Sequence, residues 1–454
     1  MEQFDVLIVG AATAGSFFAR RIAEAGHSVL VIDKLDKSRL GQRLDIFHVG
    51  KPDFEKFGIP LPEQDDDFAF EFTGGRTYSA YGRYPKQNGG TTVGMHMPRY
   101  IARMNRWAED AGASILLGAS FIDFLYEDGR IVGATYEKDG QKHEVAAKLV
   151  VDCSGIPSVA RRKLPDGYGV ENFEIADTDM FYVILRYVTY HDPKDYVRQS
   201  RGWTYYKTWE APDGNPDGAI LGVGANLSYD LGEKVFAEFE KAIALPRHTL
   251  KRIERGTTPY RRPPYSFVAD GFLASGDAAC LTKPSCGEGV TASMVQLEIA
   301  AEVVNRLLGE GGYLTRARLW PINKRYVDAQ GGAFAGQLAT LIGAVASSAK
   351  ENDFFFKKDV VFSEKTFASL GSGEPLVFST GEMLSMAFKM LGGVLTGQLK
   401  TATIRALLKG MKNGGRAEAL YAEYPESEAD FDAWVRRADE FWESCGSMAD
   451  NVVS

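Results

Sequence analysis

Cysteine is scarce in this chain: Cys153, Cys280, Cys286 and Cys445 are the only four in 454 residues. They are too few and too scattered for a disulfide framework or a tetrahedral zinc site. Cys280 and Cys286 fit no iron–sulfur spacing and read as small packing residues, so no metal site is expected. Basic charge is short as well. With 52 Lys and Arg against 60 Asp and Glu the net charge is −8, whereas a nucleic-acid partner requires a basic face. Long hydrophobic runs are also missing. Residues 333–346 and 383–399 are apolar and glycine-containing, but Lys389 interrupts the second and neither sustains the roughly 18 residues of a membrane span. The sequence enters directly on a strand pattern, from which no secretory signal or leader is expected and a cytoplasmic location is the default. The oligomeric state is not legible.

What is present begins with a complete βαβ pattern. Residues 6–9 and 28–32 are continuous apolar runs, as in parallel strands buried on both faces. Between them Phe17, Ile22 and neighbouring alanines form the buried side of a helix, Arg20, Arg21 and Glu24 its wet side, and Gly26 is placed to end it. Gly10, Ala12, Thr13, Ala14 and Gly15 make the strand-to-helix turn, where backbone N–H groups at the helix N-terminus can hold the pyrophosphate of a dinucleotide. Ala12 stands where the usual fingerprint has its middle glycine, so a slightly shifted pyrophosphate is expected. Asp33, 23 residues beyond Gly10, is placed to accept from the adenosine ribose hydroxyls.

The polar, glycine-punctuated stretch 34–50 is expected to run past the cofactor. Lys34, Arg39 and Arg43 can reach phosphate or ribose, and His48 is the titratable group that could stand near a redox ring. Residues 97–113 read as a helix with proline near its start and glycine at its end. Short alternating runs from 114 to 147 read as an antiparallel meander, and 148–164 as a returning buried strand, a Ser154-Gly155 turn and a basic helix. Aromatic and β-branched residues dominate 180–190 and 202–209, the signature of an antiparallel sheet; continuous strand alternation would put Trp203, Tyr205, Lys207 and Trp209 on one face. That stripe is either core packing or an apolar platform for a substrate.

A second informative stretch runs from 270 to 296. A short apolar strand ends at Gly276-Asp277, and Pro284, Gly287, Gly289 and Val290 lead into a helix. Asp277 suits a ribityl hydroxyl, and the helix N-terminus suits negative charge on a reduced isoalloxazine. A nicotinamide-only enzyme has no use for this second contact site. Gly331-Gly-Ala-Phe-Ala-Gly336 follows no apolar strand, so NAD(P)H, if it is the electron donor, is expected to bind transiently in the same cleft.

Taken together, Gly10-x-x-x-x-Gly15 with Asp33, Arg99, Ser154-Gly155-x-x-Ser158-x-x-Arg161, and Gly276-Asp277-Ala-Ala followed by Pro284-x-x-Gly287-x-Gly289 resemble the FAD-dependent oxidoreductases of the aromatic-hydroxylase type, and within them the geranylgeranyl-reductase-like branch. The resemblance spans residues 4–310. It implies an α/β fold: an FAD-binding Rossmann-like parallel sheet over 1–50, 91–165 and 266–315, an antiparallel substrate domain over 51–90 and 166–265, and a helical C-terminal region over 316–454. It also implies that Arg99 contacts the FAD phosphate or ribose. Two departures stand out. The family's Y-x-W-x-F-P run is Lys207-Thr-Trp-Glu-Ala-Pro212, and its cysteine after the second strand is missing near Phe47 and His48.

The implied reaction is hydride transfer from reduced FAD to a C=C bond of an apolar or aromatic small molecule, with His48 and Tyr206 as candidate proton donors. The rivals are an oxygen-dependent aromatic monooxygenase, hydroxylase or halogenase-like, and a non-catalytic FAD-fold binding protein. The C-terminal helices are read as capping the site, pairing subunits or making a peripheral membrane contact. Phe354-Phe-Phe356 beside Lys357-Lys358 hints at a lid-like patch, with core packing the favoured reading.

Overall fold

The computed structural model describes residues 1–42, 44, 46–79, 81, 83–192, 201–203, 206–210, 218–242, 247–343, 348–367 and 378–446. Two sheets carry the architecture. The first contains β1 (Glu2–Val9), β2 (Val29–Asp33), β6 (Ser114–Leu117), β7 (Ala119–Glu127), β8 (Arg130–Lys138), β9 (Gln141–Asp152), β15 (Val268–Ala269) and β16 (Phe272–Ala274). The second contains β3 (Ile46–Gly50), β4 (Phe68–Tyr78), β5 (Lys86–His96), β10 (Met180–Tyr190), β11 (Arg201–Trp203), β12 (Tyr206–Glu210), β13 (Gly218–Asn226) and β14 (His248–Pro259).

Strand order in the first sheet is β15-β16-β9-β1-β2-β6, parallel from β16 through β6, with the β7–β8 hairpin running antiparallel off β9. Val6, Leu7 and Ile8 are fully buried: α1 packs against β1 and β2, and strand β7 of the hairpin packs back against β2. Helix α1 (Thr13–Glu24) lies between α3 (Met97–Glu109) and α5 (Val290–Glu310). Ser16 Oγ donates to Asn105 Oδ1 at 2.5 Å on α3, and Arg21 pairs with Glu298 on α5 at 2.6 Å. A short α2 (Lys51–Lys56) follows β3.

The meander differs from its sequence reading in two ways. β6 joins β2 in parallel and leaves the hairpin, and the two runs expected at 143–147 and 148–152 are one strand of 12 residues. The basic helix after Ser154-Gly155 is only a single 3-10 turn, Arg161–Lys163. Residues 46–50 and 91–96, expected with the cofactor domain, pair instead within the second sheet. They read as cofactor-domain strands because their other face does serve that core: Phe47, Val49, Val93 and Met95 pack into it while Ile46 faces the opposite way.

The second sheet runs β14-β10-β13-β12-β11-β4-β5-β3, antiparallel except where β11 meets β4. α4 (Tyr229–Ala242) covers one face, burying Leu221, Val223 and Phe236 together. The other face, called inner below, collects Ile46, Phe70, Leu185, Tyr187 and Ile220, with Leu44, Phe72 and Val183 beside them.

The C-terminal helices are α6 (Arg316–Tyr326), α7 (Gly332–Gly343), α8 (Ala349–Lys358), α9 (Thr380–Leu395), α10 (Thr401–Ala422) and α11 (Phe431–Cys445). A π-helical turn, Val327–Gly331, joins α6 to α7. Trp320, Tyr421 and Trp434 share the core of the parallel sheet, while Phe354, Phe355, Val360 and Leu399 form a separate small core under α8, α9 and α10. Phe354-Phe-Phe356 is therefore core: all three are at most 4% exposed. α8 is moored to the second sheet by Ser79 Oγ and Arg83, which donate to Asp353 at 2.6 and 2.8 Å, and by the Lys86–Asp359 ion pair. No helix among the described residues is long and apolar enough to cross a membrane.

Candidate cofactor and substrate site

Three backbone turns meet at the C-terminal ends of β1, β9 and β16, where open parallel sheets bind ligands. The first is Gly10 to Gly15. Gly10 sits at φ +114°, and a Cβ there would lie 2.2 Å from Cys153 O; a Cβ on Gly15 would lie 1.8 Å from Gly10 O. Only glycine lets the turn close and lets α1 press against β1. Ala12 caps α1 with no side-chain hydrogen bond, and no acid occupies the first turn. The positive end of the helix is left to a ligand anion. Ala12, Thr13 and Ala14 are half-buried there.

Asp33 ends β2, and its two oxygens accept from Ala11 N at 2.9 Å and Leu35 N at 2.8 Å. Each oxygen keeps a lone pair for a ribose hydroxyl, in a carboxylate already oriented by main chain. Lys34 is exposed beside it. Arg43 and Tyr205 lie outside the described residues. Arg99, exposed on the first turn of α3, donates to Asp66 O at 2.7 Å.

The second turn follows β9. Asp152 is fully buried and accepts from Ser154 N at 2.9 Å, Ala160 N at 3.1 Å and Arg161 N at 2.7 Å. Burial pushes its carboxyl upward against these hydrogen bonds. Ser154 Oγ accepts from Val159 N at 2.9 Å, and Gly155 is half-buried at the bend. Arg161, also fully buried, donates to Ala278 O and to Glu171 O, both at 2.7 Å, and lies over the Phe173 ring. Ser158 Oγ reaches the same Ala278 O at 3.3 Å. The Ser-Gly-x-x-Ser-x-x-Arg motif thus clamps the third turn against the second.

That third turn is Gly276–Ala279, a 3-10 turn after β16. A Cβ on Gly276 would be 3.4 Å from the Ala14 methyl, which places the turn beside the α1 N-terminus. A Cβ on Gly289 would be 3.3 Å from Asp277 Oδ1, so this carboxylate lies at the start of α5, and Gly289 caps that helix without a side-chain bond. Val290 is its first residue. Pro284 and Gly287 lie in the loop between. Cys280 is buried there and its thiol is pushed up to about 12 by burial, whereas Cys286 is exposed, a correction to its reading as a packing residue: it stands in the outer bend of the loop.

Two uncapped helix N-termini, an oriented acid at the end of β2 and a second acid over α5 fit FAD, whose pyrophosphate, ribose, ribityl chain and isoalloxazine each have a counterpart.

The inner face of the second sheet reaches this site at its β14 end. Thr258 Oγ1 lies 3.1 Å from Thr282 Oγ1, and Tyr260 OH donates to Pro284 O at 2.9 Å with its ring 5.5 Å from Phe181. Nothing in the sequence pattern singled out Thr258, Tyr260 or Thr282, because their proximity arises from packing of distant segments. His48, half-buried and paired with Gly94, alternates with Phe47 and Val49 and so shares the inner face with Ile46.

Register sorts the remaining candidates. β11 and β12 pair with each other, Gly202 opposite Lys207 and Trp203 opposite Tyr206, so 202–209 is not one continuous strand and Trp203 does not share a register face with Lys207 and Trp209. Lys207 and Trp209 pair with Gly222 and Ile220, positions of the inner face; Tyr206 pairs with Val223, a position of the α4 face.

The family of FAD dependent oxidoreductases matches residues 5–163. Over 450 residues, 96% of this chain and 97% of the relative, the sequence is 25% identical to the digeranylgeranylglycerophospholipid reductase of Sulfolobus acidocaldarius. It is 28% identical over 324 residues to digeranylgeranylglycerophospholipid reductase 2 of Methanopyrus kandleri, covering 68% of this chain and 78% of that one. A geranylgeranyl bacteriochlorophyll reductase-like protein from Thermoplasma acidophilum superposes with a TM-score of 0.61 at 19% identity, over 88% of this chain and 100% of that one. A flavin-dependent brominase gives 0.57 at 18% identity, over 98% and 100%. At such identities the solved structures attest to the fold. The chain is an FAD-dependent oxidoreductase, similar in sequence to the digeranylgeranylglycerophospholipid reductases and in fold to reductase-like and halogenase flavoproteins.

Proposed function

We propose that the protein reduces C=C bonds of a polyprenyl chain or a similarly apolar molecule, with NAD(P)H or another reductant supplying electrons. The carrying observation is the inner face of the second sheet. It is apolar through Ile46, Phe70, Leu185 and Ile220, it abuts the Thr282–Pro284 loop through Thr258 and Tyr260, and it bears His48. The names of the sequence relatives point to the same substrate class.

FAD, when bound and reduced, supplies hydride to one alkene carbon. Gly10 to Gly15, Asp33 and Asp277 hold the cofactor by backbone donors and carboxylate acceptors. The apolar face binds and aligns the chain and excludes water, which favours the reactive geometry. Saturation also needs a proton on the adjacent carbon, and His48, a half-buried imidazole on the inner face, supplies it. Lys207 stands where the geranylgeranyl-reductase run has tyrosine and Trp209 is retained; both occupy inner-face register positions and tune which chain is accepted.

Anaerobic stopped-flow tests this. Dithionite-reduced enzyme should be reoxidised by a digeranylgeranyl lipid, with loss of alkene in the product. A reduced flavin that reoxidises only with oxygen, with oxygen retained in the product, would establish the monooxygenase instead; one that no acceptor reoxidises would establish a binding protein.

A further inference from the structure

Helix α9 is apolar on two sides. Met386, Met390 and Val394 face inward onto Phe354, Phe355 and Leu399. Leu384, Phe388, Leu391 and Leu395, spaced by four, three and four residues, form a second stripe that is 57%, 72%, 56% and 79% exposed. Leu408 and Met411 on α10 add two more exposed side chains at 54% and 51%. A surface helix of a protein surrounded by water alone carries polar residues on such a stripe.

Charge gives the second observation. From 383 to 417 the chain contains Lys389, Lys400, Arg405, Lys409, Lys412 and Arg416 and no acidic residue, in a protein whose net charge is −8. Among the described residues none of these six cations enters an ion pair, although ion pairs are plentiful elsewhere on the surface. An exposed stripe of leucine and phenylalanine beside uncompensated lysines and arginines matches an anionic lipid surface, where apolar side chains enter the acyl boundary and cations meet headgroups. A second copy of this chain fits poorly, since face-to-face packing would oppose the same cations.

We infer that α9 and the first half of α10 dock the protein on negatively charged bilayers. The attachment is peripheral, by α9 and the adjoining half of α10 lying in the interface, and does not depend on which reaction the flavin performs. For a substrate as apolar as a polyprenyl lipid, it would hold the enzyme where that substrate resides.

Co-sedimentation of the purified, FAD-loaded full chain tests the inference without turnover. Vesicles of phosphatidylglycerol with phosphatidylcholine should pellet the protein, pure phosphatidylcholine much less, and added salt should release it. The pair Phe388→Ser with Leu391→Ser, at exposed positions that leave the FAD content and melting temperature intact, should weaken partition by roughly tenfold or more. Lys409→Glu with Lys412→Glu should weaken it roughly tenfold as well, and abolish the preference for anionic vesicles. The inference is overturned if the protein ignores both vesicle types, if both double variants bind as the parent does, or if light scattering shows a dimer that Phe388→Ser with Leu391→Ser dissociates.

Discussion

Thr258 on β14 and Thr282 in the loop before α5 stand with their hydroxyl oxygens 3.1 Å apart, at the point where the second sheet meets the cofactor turns. Tyr260 reinforces this junction by donating to Pro284 O at 2.9 Å. The loop between the third cofactor turn and α5 is thus held by the second sheet, so a disturbance of one reaches the other.

Tyr260→Phe should keep the fold and lose about 1 kcal/mol of loop anchoring, the net worth of one hydrogen bond. FAD affinity should fall roughly fivefold, read by the fluorescence of FAD released on dilution. Unchanged retention would show that the Pro284 contact does not support the cofactor.

Gly15→Ala is expected to be severe, because its Cβ would lie 1.8 Å from Gly10 O. The main chain must move, at a cost of more than about 3 kcal/mol, and the purified protein should be colourless or insoluble. A yellow, fully loaded Gly15→Ala protein would contradict the turn geometry.

His48→Asn tests the proton donor. Turnover of an alkene substrate should drop about 100-fold with FAD content unchanged. Equal rates for the variant and the parent would return His48 to a packing role.

Glu351 predicts the acid limit of the C-terminal helices. Burial opposes its charge, but hydrogen bonds from Thr403 Oγ1, Lys400 N and Ser348 outweigh this and hold its carboxyl at about 2. Because the folded value lies below the unfolded one, the stabilisation is complete above the ordinary carboxyl range and is lost as pH falls through it toward about 2. The contribution is roughly 3 kcal/mol at neutral pH. Glu351→Gln should lower the melting temperature at neutral pH and narrow the gap to the parent under acid. A gap of the same size at both pH values would exclude this ionisation.

The cofactor half of the site is legible because its signals are local. Gly10, Gly15 and Asp33 sit within one βαβ unit, and Gly276, Asp277 and Gly289 within one strand, loop and helix. Ser154, Ser158 and Arg161 are recognisable as a motif, but the action of Ser158 and Arg161 on Ala278 O, more than a hundred residues away, emerges only from packing. The substrate half is less legible for a stated reason. Strand alternation across 202–209 assumes one strand, and the pairing of Trp203 with Tyr206 makes it two, which reverses the parity of every residue beyond the break. The apolar character of 383–399 was visible, whereas which side of α9 faces out depends on Phe354, Phe355 and Leu399 beneath it.

The central claim, reduction of a C=C bond by this FAD-dependent oxidoreductase, is tested most directly by product mass under labelled oxygen. Enzyme, electron donor and a digeranylgeranyl lipid are incubated once without oxygen and once under oxygen-18. The account predicts a product heavier by two hydrogens per reduced bond in both vessels and free of the label. A product formed only in the second vessel and carrying oxygen-18 would contradict it.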